Sequence, residues 1–171
     1  MILCLPAGQP GRRAARGEYP KRKEQSPGVL FWQSLNEAMW LFYAIQGYDM
    51  IISSLSSSEK NIIEQNLLIP MADFLSSGQP ETFNKIHNHG TWAVSAVGMT
   101  GYTLNNNDLV TKALYGLDKS GDSGFYKQID ELFSPDGYYA EGPYYQRFAL
   151  LPFVIFAKSI DSNNPTLKIF E

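Results

Sequence analysis

The chain has 171 residues, 44% of them hydrophobic and 18% charged, which is enough length and apolar material for one domain with its own core. Its net charge of -3 hides a divide: residues 1–25 carry six Lys/Arg against two Glu and stand at +4, while the remainder, with 8 basic and 15 acidic residues, stands at -7. An acidic body argues against nucleic acid as the main partner, the lone Cys4 excludes an internal disulfide, and no apolar run reaches the length of a membrane span.

Residues 1–28 are rich in Gly, Pro and Arg and show no hydrophobic period. They read as a flexible basic arm or a spurious N-terminal extension. The apolar patch at the start has no basic residues before it and is not read as a signal peptide. From Phe31 the character changes. Trp32, Leu35, Met39, Phe42, Ile45 and Ile52 recur at spacings of three and four or their sums, which predicts a helix of roughly five turns. Ser56 and Glu59 have the spacing of a capping box and predict a second helix through about Ser76, stopped by Ser77-Gly78-Gln79-Pro80.

A third helix is predicted from about His89 to Leu104. Its small residues, Ala93, Ser95, Ala96, Gly98 and Gly101, would let other helices approach closely. Asn105-Asn106-Asn107 breaks it. Asp108 to Tyr115 and Phe125 to Phe133 read as two shorter helices, and Ser134-Pro135-Asp136-Gly137 as a turn. A last apolar helix runs from near Pro143 to about Ile160 and is closed by Asp161-Ser162-Asn163-Asn164-Pro165. No long strand alternation survives, so the chain is expected to be all-α, with five or six antiparallel helices in a bundle or a curved array.

Two segments depart from what helix packing needs. His87-Asn88-His89-Gly90-Thr91-Trp92 places three hydrogen-bonding side chains and a glycine at a helix entrance, where free N–H groups suit an anion. It holds both histidines of the chain. The plain alternative is that Asn88 caps the helix and the histidines lie on the surface. A metal is not expected, since no Cys or further His completes the pair.

The second segment, Ser134 to Phe148, holds four tyrosines, two acids and an arginine among Gly and Pro. A tyrosine near an arginine can serve proton transfer, because a cation lowers the phenol's ordinary pKa; a Tyr-rich helix entrance packing on its neighbours is the equal alternative. On a regular helix Tyr144 and Arg147 share a face, whereas Tyr145 and Arg147 lie about 200° apart.

Taken together, Asn88-His89-Gly90-Thr91-Trp92, Ser134-Pro135-Asp136-Gly137-Tyr138-Tyr139 and Glu141-Gly142-Pro143-Tyr144-Tyr145-Gln146-Arg147 resemble the catalytic domain of alginate and oligoalginate lyases, polysaccharide lyase family 17 of the heparinase II/III superfamily. Trp32-Gln33-Ser34-Leu35-Asn36-Glu37 is similar to that family too. The resemblance covers residues 29–165 and implies that 29–171 form part of an (α/α) toroid. The rest of the toroid and a β-sheet domain would lie outside the chain.

It implies β-elimination on a uronic-acid polymer or oligomer, without cofactor or metal, in a parent that is periplasmic or secreted. Asn88 and His89 would hold and neutralise the uronate carboxylate, with Arg147 assisting. Tyr145, or in its place Tyr144, would transfer the proton. Gln33, Asn36, Trp92 and Tyr144 would contact sugar. A second tyrosine and a histidine of the family's site would come from beyond Glu171, so this chain alone is expected to be inactive. His87 stands where the family pattern has Asn, and Ala93 where some members carry an aromatic.

Three other readings compete: a lyase for heparin-like polymers, which the few cations of the body disfavour; a non-catalytic carbohydrate-binding module; and a helical interaction domain. Exposed edges of a partial toroid would favour self-association.

Overall fold

A computed structural model describes residues 28–31 and 33–170 of the chain. The basic arm expected over 1–28 therefore lies outside the described residues except for Gly28, and Trp32 lies outside them as well.

The first helix, α1 (Ser34–Ile51), turns Ala38, Leu41, Phe42, Ile45 and Tyr48 inward at helical spacing. Glu37, in its first turn, is fully buried, and its Oε1 accepts the backbone N–H groups of Leu30 and Phe31, fastening the incoming segment to the helix. After a short 3-10 turn (Ile52–Ser54), α2 (Ser57–Ile63) starts on the expected capping box: Ser56 and Glu59 each bond the other's backbone N–H.

The helical path then runs through one π turn (Glu64–Leu68) into α3 (Ile69–Leu75). The sequence pattern predicts a single unbroken helix here. The difference traces to Pro70, whose ring lacks an N–H and collides with the carbonyl four residues back, so the preceding turn widens to accommodate it. Tyr48 donates its hydroxyl to Glu64 in that turn, tying α1 to it. Burial, then the neighbouring carboxylate, raises the Tyr48 pKa above the ordinary phenol value.

A short α4 (Pro80–Phe83) leads to α5 (Asn88–Thr103), on which the fold is centred. Every residue from Gly90 to Gly101 is buried. Such a helix needs apolar neighbours all round. Here α1, α6 (Asn107–Tyr115) and α8 (Pro143–Asn163) pack against it, with α7 (Gly124–Leu132) alongside. The small residues set the spacing. A Cβ on Gly98 would fall 2.1 Å from the Phe156 ring and 2.9 Å from Ala113, and one on Gly101 would meet Val110 at 2.8 Å. Buried Thr100 turns its hydroxyl back to the Ala96 carbonyl at 2.8 Å, so it leaves no unpaired donor.

Among the described residues there is no β-strand; Phe133 and Tyr139 form an isolated antiparallel bridge, and the fold is all-α. Helix α5 begins one residue before its expected start. Helix α8 continues through Asn163, so Asp161 to Asn163 form its last turn, and it carries a buried Pro152 in its interior.

Replacing Gly98 by Ala is expected to destabilise the chain by about 1–3 kcal/mol, because the methyl group overpacks the α5–α8 contact. Denaturant unfolding measures it, and Phe156→Leu in the same chain should recover part of the loss.

Candidate active site

Asn84 prepares the entrance to α5. Its Oδ1 accepts the Leu117 N–H at 3.0 Å and the Ser123 hydroxyl at 2.9 Å, anchoring the loop that leads to His87. Gly90 then allows that loop to cross the first turn: a Cβ there would come within 2.1 Å of the Lys85 carbonyl and 3.0 Å of the buried Gln128 amide. The residue that caps α5 is His87, not Asn88 as the plain alternative has it. The His87 backbone is extended and its Nδ1 accepts the His89 N–H at 3.3 Å. Asn88 is the first residue of the helix proper and only 5% exposed.

On the other side, the turn at Ser134 to Gly137 is closed as its composition predicts. Gly137, at φ +85°, donates to the Ser134 carbonyl at 2.7 Å, and Ser134 Oγ accepts the Tyr138 N–H at 3.1 Å. The Phe133–Tyr139 bridge and a bond from Ala140 N–H to the Leu132 carbonyl (2.9 Å) carry the chain back. Tyr139 is fully buried with Leu132 and Ala149, which fixes where Glu141 emerges two residues later. Gly142, at φ +87°, and Pro143 then start α8.

These two helix starts meet at one open cleft of about 720 Å³. Of the residues singled out in the sequence, Asn88, His89, Tyr144, Tyr145 and Arg147 all line it. Four more that the sequence left without a role join them: Leu35, His87, Glu141 and Phe148. Glu141 is the link between the halves, since one carboxylate oxygen accepts from Asn88 Nδ2 at 2.6 Å and the other lies 3.1 Å from His87 Nε2.

Arg147 stacks its guanidinium 5.7 Å from the centre of the Tyr144 ring, as the shared helix face predicts. Tyr145 packs edge-on to Tyr144 at 5.4 Å and is 47% exposed.

Three expected sugar contacts do not line the cleft. Gln33 precedes α1 and Asn36 sits in its first turn, where its N–H bonds the Gln33 carbonyl; between them Leu35 is the residue that faces the cleft. Trp92 is 1% exposed, with its ring packed on Phe42 and on Phe148 at 5.2 Å each. The sugar contact expected of Trp92 is thus corrected: the indole supports the cleft wall from behind.

Burial lowers the His89 pKa below the ordinary imidazole value of 6.5, with His87 and Lys85 nearby adding to the effect and Glu141 opposing it, so His89 is neutral at pH 7. Burial, then the Glu141 charge, pushes the Tyr139 phenol up to about 12, leaving it a neutral hydroxyl beside the Asn88–Glu141 contact. Arg147 is the permanent cation of the cleft lining. Among the described residues no His, Cys, Asp or Glu side chains form a metal-holding cluster.

Two helix N-termini, an amide, imidazoles, phenols and a guanidinium on one wall make a site for a polar, anionic ligand. Comparison with known proteins puts a family to it. The sequence profile of the alginate lyase family matches residues 13–170. The chain is 68% identical over 155 residues to an exo-oligoalginate lyase of Saccharophagus degradans, covering 91% of this chain and 21% of that protein. It is 54% identical over 154 residues to an alginate lyase of Stenotrophomonas maltophilia, covering 90% and 21%. The chain belongs to the alginate lyase family, and it spans about a fifth of the length of these curated relatives.

Gly90→Ala is expected to cost about 2 kcal/mol, since its new methyl group meets a backbone carbonyl that side-chain rotation cannot move. Thermal unfolding of the variant, read beside Gly47→Ala on the open side of α1, checks it.

Proposed function

We propose that the chain supplies part of the active site of a polysaccharide lyase that cleaves alginate or oligoalginate by β-elimination. The observation that carries this reading is the meeting of Asn88, His89, Tyr145 and Arg147 on one cleft at two helix N-termini, in a chain of the alginate lyase family.

The chemistry explains the residue types. A base takes the C5 proton of a uronate, breaking a C–H bond of very low acidity; the electron pair forms the C4–C5 double bond as the C4–O bond breaks. Negative charge builds on the adjoining carboxylate. Donors already aimed at that carboxylate lower the barrier most. Asn88 and His89 take that role as hydrogen-bond donors. Because His89 is neutral, full positive charge comes from Arg147. The Tyr145 phenol gives its proton to the departing oxygen.

Helices α1 and α5 to α8 belong, on this reading, to a partial (α/α) toroid completed by the rest of a longer protein that is periplasmic or secreted, where uronate polymers are met. The exposed row of Leu150, Leu151 and Val154 on α8 supports self-association of the chain on its own.

The test mixes the chain, and the chain extended by the coding sequence that follows it, with alginate, heparin and chondroitin while the ultraviolet band of unsaturated uronates is followed. The extended protein is expected to produce the chromophore from alginate, and Asn88→Ala or Tyr145→Phe to lower kcat by about 100-fold or more. Product from a glycosaminoglycan alone would move the substrate; none from any polymer would leave a binding module. A second prediction concerns charge. By NMR, His89 is expected to titrate below 6.5 in the free protein, and a bound oligouronate to raise that value, since a nearby anion favours the imidazolium.

A further inference from the structure

We propose that Glu141 is a positioning residue of this site: its carboxylate dictates which way the Asn88 amide faces and which nitrogen of His87 carries the proton. The inference rests on the functional reading above and deepens it.

The geometry gives each carboxylate oxygen one partner, Oε2 the Asn88 Nδ2 at 2.6 Å and Oε1 the His87 Nε2 at 3.1 Å. An ionised carboxylate only accepts hydrogen bonds. Asn88 must therefore present its NH2 end to Glu141, which sets the direction of its second amide hydrogen and of its Oδ1. His87 must likewise carry hydrogen on Nε2. The other ring nitrogen makes the same demand independently, because Nδ1 accepts the His89 N–H at 3.3 Å and needs a free lone pair. Both sides of His87 thus require one neutral tautomer. Protonating Nδ1 would set one N–H against another at the first turn of α5.

Glu141 is itself well held. Buried Tyr139 anchors the chain before it and Gly142 donates its N–H to the Tyr139 carbonyl at 2.9 Å after it. The result is a bridge from the start of α8 to the start of α5, across 53 residues of sequence. Asn88, one of the groups assigned to the substrate carboxylate, receives the orientation of its amide through it. The bridge places a negative charge in a cleft meant for an anion, which opposes ground-state binding. That conflict makes the inference testable, since orientation and charge act on different kinetic constants.

In Glu141→Gln the negative charge is gone, and an amide can satisfy either face of Asn88, so the orientation is no longer dictated. With the extended protein on oligoalginate, kcat is expected to fall on the order of ten- to a hundred-fold, while KM stays the same or drops. Wild-type kcat in Glu141→Gln would overturn the proposal, as would a raised KM with kcat kept, which marks a direct binding residue. NMR supplies an arm free of activity. The wild type is expected to show His87 as the Nε2–H tautomer and an Asn88 side-chain amide proton protected from exchange, with that protection lost in Glu141→Gln. An Nδ1–H tautomer, or an unprotected Asn88 amide in the wild type, overturns the proposal even if the variant does not fold. Absence of lyase activity in the wild type would sink the functional reading instead, and the NMR arm then decides the positioning by itself.

Discussion

A helix with neighbours on every side has to make room for them, and α5 does so from its own sequence. Gly98 and Gly101 bring α6 and α8 to within a methyl group's distance of the α5 backbone. Thr91 and Thr100 return their hydroxyls to carbonyls of their own helix, at 2.7 and 2.8 Å. The positions of α1, α6 and α8 follow from how closely they can approach α5, and so does the place where the starts of α5 and α8 come together.

That meeting point combines a fixed cation, a neutral imidazole and an anion that is already bonded. Arg147 supplies charge under all ordinary conditions, whereas burial holds the His89 pKa below the ordinary imidazole value. Glu141 has both oxygens occupied by neighbours from α5. Charge and fixed geometry are thus carried by different side chains, and Trp92 holds the wall they stand on by packing against Phe148 from within.

Much of this was legible in the residues. The spacing of Leu35 to Ile45, the Ser56–Glu59 pair and the asparagine run at 105–107 marked helices to within a few residues, because these signals act locally. The Tyr144–Arg147 stack followed from helical periodicity. Pro70 was passed over because helix propensity on either side of it outweighs one missing N–H once a π turn absorbs the clash. Trp92 misled for another reason: an aromatic after a polar helix entrance has the same sequence signature whether it faces sugar or Phe42. His87 and Glu141 could not be read at all as a pair. Their relation depends on two turns closing correctly 53 residues apart from Asn88 to Glu141, and nothing in either local sequence announces it.

The contact between Gly98 and Phe156 behaves as a fulcrum. Asn88 lies ten residues up α5 from it and Tyr145 eleven residues up α8, arms of about 15 and 16 Å at the helical rise. A rotation of about 4° at that crossing swings either tip by about 1 Å, a displacement that in an assembled site can cost about two orders of magnitude in rate. Residues deep in the core therefore set how the two walls of the cleft face each other, at a distance of several helical turns.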